Sequence, residues 1–445
     1  MAMKCIFCHT VQMKNFILLL ATILWFTMNN TNASSAFVSV KSQQLVKDGR
    51  PYYFLGTNYW QGMYLAAPGK NNNRAQLKRE LDMMQTQGIK QLRILALSEG
   101  PNSEPYRVVP AVQTKPNELN ENLLIGLDFL LNEMKKRQMT AVICLSNFWP
   151  WSGGMSQWVS WIEGSSIPYP PPHPGGSWSR YQEYASKFYT LEKAVEGQQD
   201  SVKKIVSRIN TVSQIAYSGD ETIMAWELAN EPRGGNNRQE FLKWISSSAK
   251  LIKSIDKNHL VTLGSEGETM DARDAGNNFL EDHSFSDIDY ATFHIWVENW
   301  GMYDPKNASG TMTMAKNVMQ NYINDHVAKS KTLKKPVILE EFGMARDERS
   351  MNPESTTFNR DNYYQAVFQA SLDLMTKQNN LSGVNFWAWS GENKPRLPFG
   401  SLWKAGDPLL GDPPHEEQGW YGVYSSDHTT LNIIKKFADQ IELLR

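Results

Sequence analysis

Eight short runs rich in apolar, β-branched and aromatic residues recur along this chain with helix-length segments between them, and that alternation limits its fold more than any other feature. The runs are YYFLGTNYW, KQLRILALS, TAVICLSNF, IMAWELANE, HLVTLGSEG, YATFHIWV, PVILEEFG and GVNFWAWS. Between the first two, Leu77, Leu81 and Met84 recur at helical spacing; between the second and third, Leu123, Leu127, Leu130 and Met134 do the same. SVKKIVSRINTVSQIA, QEFLKWISSSAKLIKSI, AKNVMQNYINDHVAKS and NYYQAVFQASLDLMTKQ read as later helices. The pattern predicts an α/β chain folded as a parallel (β/α)8 TIM barrel. No glycine-rich phosphate fingerprint follows the first run to favour an open doubly wound sheet.

At 445 residues the chain exceeds a minimal barrel, and the surplus has two addresses. One follows the third run, where IPYPPPHPGG (Ile167 to Gly176) reads as an extended loop; the other spans Glu392 to Gln418, rich in Pro and Gly, after the eighth. Both lie beyond strand C-termini, the face on which barrel enzymes build their sites. With no linker composition and no internal repeat, residues 34–445 are expected to form one domain.

A formal charge of −1 gives no electrostatic argument for nucleic acid or for an anionic membrane surface. Fifteen Trp and seventeen Tyr point instead to flat surfaces for sugars. Lys14, the apolar FILLLATILWF (Phe16 to Phe26) and the polar NNTNASS read as an export signal over residues 1–33, too short to span a bilayer well. The mature protein is therefore expected to be secreted, or periplasmic in a bacterium, and to act as a monomer. Cys5 and Cys8 precede the cleavage point, which leaves Cys144 and hence neither a disulfide nor a thiolate metal site. Asn307 and Asn380 head sequons that a eukaryotic secretory route can glycosylate.

In a barrel, the residues that end the strands converge on one mouth. Glu231 ends the fourth run, just before Pro232, and Glu341 ends the seventh. Two carboxylates facing each other across a mouth supply what glycoside cleavage needs, an acid for the leaving oxygen and a nucleophile or base for the anomeric carbon. Their like charge raises the pKa of one member and so keeps it protonated. Such chemistry calls for no metal and no organic cofactor. His294 lies in a strand run, so no second His or carboxylate stands at i+3 or i+4 on a helix with it.

The ordered set Leu92–Arg93, Asn230–Glu231–Pro232, HIW at His294 to Trp296, EEFG at Glu340 to Gly343 and NFWAW at Asn385 to Trp389 resembles glycoside hydrolase family 5. SNFWPWSGGMSQWVSW, GSEG, FHIWVENW and GDPPHEEQGWYGVY are similar to its endo-β-1,4-mannanases, and the resemblance covers essentially the whole mature chain. It implies Glu231 as acid/base and Glu341 as nucleophile. Asn230 is then implied as a ligand of the sugar 2-hydroxyl, and Arg93 as the cation that keeps Glu341 ionised. His294 falls in the polar ring around the cleaved sugar, Trp387 or Trp389 beneath it, and Trp149 and Glu266 in subsites. Trp296 stands where many members of the family carry a Tyr that contacts the nucleophile; an indole donates a hydrogen bond but accepts none. Strand alternation is expected to point Glu340 away from the face that Glu341 uses, so that Glu340→Gln does far less than Glu341→Gln.

The implied activity is retaining, endo-acting hydrolysis of β-1,4-mannan, galactomannan and glucomannan or their oligosaccharides. Two related alternatives are an exo-β-mannosidase, with long loops closing the cleft, and a β-1,4-glucanase. A non-catalytic carbohydrate-binding protein stands further off, since both carboxylates are intact.

Overall fold

Each of the eight runs becomes a strand: β1 (Phe54–Asn58), β2 (Gln91–Leu95), β3 (Thr140–Cys144), β4 (Ile223–Glu227), β5 (Leu260–Thr262), β6 (Ala291–Ile295), β7 (Val337–Phe342) and β8 (Leu381–Phe386). The computed structural model describes residues 37–69 and 73–444; the export signal expected over 1–33, with Cys5 and Cys8, lies outside them. These eight strands pair in parallel, in the order β5-β4-β3-β2-β1-β8-β7-β6. A bridge between Thr262 and Tyr290, with Asp289 donating to the Val261 carbonyl at 2.8 Å, joins the two ends and closes the barrel. Every residue of these strands is buried, which is why the sequence carries continuous apolar runs rather than alternation.

Among the described residues, nine helices of at least nine residues follow the strands: α1 (Arg74–Thr86), α2 (Glu121–Lys136), α3 (Gly154–Glu163), α4 (Trp178–Ser186), α5 (Glu192–Val206), α6 (Arg238–Ile255), α7 (Ala308–Leu333), α8 (Phe358–Thr376) and α9 (His428–Glu442). The periodic residues turn inward as expected: Leu77, Leu81 and Met84 of α1, and Leu127, Leu130 and Met134 of α2, are fully buried. The segment read as a helix through residue 216 stops at Val206. The Asp128 carboxylate takes hydrogen bonds from Arg208, Thr211 and Tyr217, and this side-chain capture pulls the chain off the helical path.

The surplus length lies where the sequence placed it, between β3 and β4 and after β8. At the opposite end a three-stranded antiparallel sheet (Ser39–Lys41, Gln44–Lys47, Arg50–Pro51) plugs the barrel. Its Val38, Leu45 and Tyr52 form an apolar cluster with Phe54, Val142, Met224, Leu260, Tyr290 and Ile338 at the start of the barrel strands. The Tyr52 hydroxyl lies 3.1 Å from Thr140 Oγ1. Of the two sequons, Asn307 is exposed before α7, whereas Asn380 is buried and donates to the Lys335 carbonyl at 2.9 Å.

The β6–β7 ladder is irregular at one point. Phe293 pairs with Leu339 but the next residue, His294, pairs with Glu341, which leaves Glu340 as an extra residue on β7. A bulge of this kind re-aims side chains that strict alternation would send to opposite faces.

Candidate active site

Residues Leu228 to Glu231 run on beyond β4, held by hydrogen bonds to Thr262, Leu263 and Gly264 on one side and by Asn147 and Ser146 on the other. Glu231 itself is left-handed, with φ +47°, a conformation a non-glycine residue adopts at a cost and one that recurs at functional sites. Its amide donates to the Gly264 carbonyl at 2.8 Å. A Cβ on Gly264 would lie 2.0 Å from the Ala229 carbonyl oxygen, so only glycine permits this close approach. The glutamate thus rises out of the sheet into a cleft of about 390 Å3 at the C-terminal face.

Glu341, next to last in β7, faces it. One carboxylate oxygen of each and one nitrogen of His294 all lie within 4.8 Å of one another. His294 Nδ1 is 2.6 Å from Glu231 Oε1 and 3.3 Å from Glu341 Oε2. Trp149 Nε1 donates to the other Glu231 oxygen at 2.5 Å. Arg93 donates to Glu341 through Nη1 and to Asn230 Oδ1 at 2.8 Å, while Glu227 grips its far edge at 2.6 and 2.8 Å. Glu231, His294 and Glu341 thus form one compact buried cluster in which the imidazole is shared by the two carboxyl groups.

The two carboxyls are pushed in opposite directions. Burial drives Glu341 up to about 7, against the pull of His294 and Arg93. Burial also raises Glu231, but hydrogen bonds from His294 and Trp149 and the charges of His294 and Arg233 outweigh it and leave the group below the usual carboxylate range. His294 loses some basicity to burial, yet Glu341, Glu231 and Glu340 carry it up to about 10. As pH falls below about 7 the pair therefore comes to hold close to one proton, whose release belongs to both members together.

Most of the expected site residues converge here. Trp149, Asn230, Glu231, Glu266, Trp296, Glu341 and Trp387 line the cleft. Trp387 forms its base between Trp151 and Trp296, at centroid distances of 6.4 and 6.1 Å. Glu266 is bidentate to Arg233 at 2.6 and 2.9 Å, and Arg233 in turn lies over the Trp149 ring. Trp296 packs against Tyr421, whose hydroxyl donates to Asn299, and the polar contacts of Glu341 come from Arg93 and His294.

Two expectations need correction. Trp389 is fully buried away from the cleft: the chain turns after Trp387 and enters the short strand Trp389–Gly391, so the two indoles do not share a face. Glu340 does not point away from the site, because the bulge in β7 lets it follow Glu341 inward, where Oε2 comes within 3.8 Å of both Arg93 Nε and His294 Nε2.

Sequence reasoning also missed Glu227, Trp151, Trp178, Arg233, His415 and Glu416. Glu227 had a signal, since it lies within the fourth run, four residues before Glu231. His415 and Glu416 sit inside GDPPHEEQGWYGVY, but only the folded loop brings them over the cleft. There His415 meets Trp178 of α4 at 6.1 Å between centroids, so the surplus segments after β3 and β8 touch above the site. A larger hollow of about 600 Å3 lies on the flank between Tyr64, Asn120 and Trp403. Its Asn73, Gln76 and Asn393 amides are spent on one another, and it holds no carboxylate pair.

A family model described as GH family 5 beta-mannosidase-like matches residues 35–445. The crystal structure of a glycoside hydrolase family 5 mannosidase from Rhizomucor miehei is 37% identical, with TM-score 0.84, over 92% of this chain and 98% of that one. A mutant of that enzyme in complex with mannosyl-fructose aligns at 36% identity and TM-score 0.85 over the same shares. Putative mannan endo-1,4-beta-mannosidase 4 of Arabidopsis thaliana is 27% identical over 96% of this chain and 97% of its own length.

Proposed function

Because this chain belongs to the glycoside hydrolase family 5 mannosidase group, we propose that it cleaves β-1,4-mannosidic bonds with retention of configuration, Glu341 being the nucleophile and Glu231 the acid/base. The observation that carries this reading is the approach of the two carboxylates to within 4.8 Å with His294 between them. Retaining enzymes keep their carboxyls about 5–5.5 Å apart, whereas inverting ones leave about 6.5–9.5 Å for a water.

In the first step a Glu341 oxygen forms an ester bond with the anomeric carbon. The bond to the glycosidic oxygen breaks with its electron pair on that oxygen, which takes the proton of Glu231. The free site tends to keep the shared proton on Glu341, yet attack needs it on Glu231. Positive charge developing at the anomeric carbon favours the ionised Glu341, and Arg93, clamped by Glu227, is fixed to support it. In the second step Glu231 takes a proton from water, the water oxygen attacks the same carbon, and the ester pair returns to Glu341. Asn230, held by Arg93 and Asn147, is positioned for the sugar 2-hydroxyl, and Trp387 for the apolar face of the ring.

Relatives named as mannan endo-1,4-beta-mannosidases support attack on internal bonds. The contact of Trp178 with His415 favours a second reading, removal of terminal mannose, because a wall across the cleft obstructs a through-running polymer. Digestion of galactomannan with viscosity and product length followed together separates the two. A rapid fall in viscosity with mixed short oligomers supports the endo mode; mannose release at constant viscosity supports the exo mode; action on soluble cellulose alone overturns the substrate class. Among the described residues no helix is long and apolar enough to cross a membrane, and the run Phe16 to Phe26 supports export.

A further inference from the structure

Glu340 is fully buried, and neither of its oxygens accepts a hydrogen bond from any described residue. The nearest cationic groups are Arg93 Nε and His294 Nε2, each 3.8 Å from Oε2, and Nε2 has no hydrogen-bond partner among the described residues either. A carboxylate taken from water without donors is costly unless opposite charge compensates it. Arg93 is already matched by Glu227 and shared with Glu341, so the cation left to balance Glu340 is the imidazolium of His294. A chain that needed only to fill this space would do better with a neutral side chain.

Resting on the assignment of Glu231 and Glu341 as acid/base and nucleophile, we propose that Glu340 is a positioning residue of the reaction: from beneath the site it keeps His294 a fixed cation between the two reacting carboxylates. The bulge that brings two consecutive glutamates of β7 inward is what makes this possible, Glu341 reaching the substrate and Glu340 the far nitrogen of the ring. The other titratable groups facing this pair are Arg93 from β2, Glu227 and Glu231 from β4 and its extension, Glu266 beyond β5, Tyr290 before β6 and Glu341 itself. Most are acidic, so Glu340 adds to a negative surround that Arg93 alone does not offset. His294 carries a proton on each nitrogen through the cycle. When Glu231 gives its proton to the glycosidic oxygen, the new carboxylate already has an imidazolium 2.6 Å away. The charge that makes Glu231 a ready donor then steadies it until water returns a proton.

The test reads the ring directly. In nitrogen NMR of the free protein, both His294 nitrogens are expected to be protonated at pH 8, with the transition to neutral imidazole lying well above the ordinary histidine range. In Glu340→Gln that transition falls by about one to three pH units, the usual effect of one neighbouring charge. With an aryl β-mannoside, kcat drops about tenfold or more while KM stays within about threefold, a fraction of what acid/base catalysis supplies. Glu340→Asp, which keeps the charge, retains the high transition. A neutral His294 at pH 8 in the parent protein, or an unchanged transition and kcat in Glu340→Gln, overturns the proposal. The NMR arm uses no substrate, so a wrong sugar assignment leaves it standing. A failed positioning role likewise leaves the digestion result intact.

Discussion

At the scale of single residues, Glu231 and Glu341 are the same amino acid made different by their neighbours. Glu341 is met by a guanidinium locked in place by Glu227, whereas Glu231 is met by an indole and an imidazole that leave one side open to the cleft. Replacing each by Gln separates their roles. Glu231→Gln is expected to lose about 10²–10⁴-fold on mannan. It keeps the first step on an aryl mannoside whose leaving group needs no proton, so a burst of aglycone precedes a slow steady state. Glu341→Gln shows neither burst nor turnover on either substrate, and a burst from that variant would reverse the assignment. That these two carboxylates meet in one cleft was legible because each ends a run in a context of Pro or Phe-Gly. Glu340 was misread because alternation is a rule for regular ladders, and one extra residue in a strand is invisible in a sequence. Trp387 and Trp389 were inseparable for the same reason, since the chain leaves the strand between them.

At the scale of elements, all eight strands were legible from their continuous apolar character, and helix ends were the weaker part. The segment after Val206 keeps helical periodicity, yet the buried Asp128 on α2 binds Arg208, Thr211 and Tyr217 and converts it into a tie between two helices of the outer ring. Burial raises Asp128, but these hydrogen bonds outweigh it and hold the carboxyl below its ordinary value. Its stabilisation is therefore fully present above the unfolded carboxyl value of about 3.9 and is lost as pH falls through the lower folded value. Asp128→Asn is expected to cost about 2 kcal/mol in urea unfolding at pH 7, with a smaller difference at pH 3. Equal losses at both pH values would show that shape rather than charge matters there. The loops after β3 and β8 were legible as insertions but not as partners. Nothing in IPYPPPHPGG or GDPPHEEQGWYGVY says that Trp178 and His415 meet, because a contact between segments so far apart depends on the barrel that carries both.

At the scale of the whole molecule, catalysis and folding answer to pH over different windows. The pair Glu231 and Glu341 must hold one proton, so kcat/KM is expected to fall as pH rises through about 7, where Glu341 gives up its share. The folded state raises His294 from an unfolded value of about 6.5 to about 10, so the stability it contributes is complete below the former and is lost as pH rises through the latter. Between these limits the protein should be inactive but folded, and an hour at pH 8.5 followed by return to pH 6 should restore full rate. Permanent loss would tie the activity limb to unfolding instead. The antiparallel plug under the barrel carries a separate consequence, one of timing on the ribosome. Val38, Leu45 and Tyr52 are synthesised first, yet the walls they lean against are made in succession up to Ile338 of β7. At about 5–20 residues per second that is an interval on the order of tens of seconds. The nascent chain carries its floor out ahead of the room, and those apolar side chains stay without a seat until the seventh strand emerges.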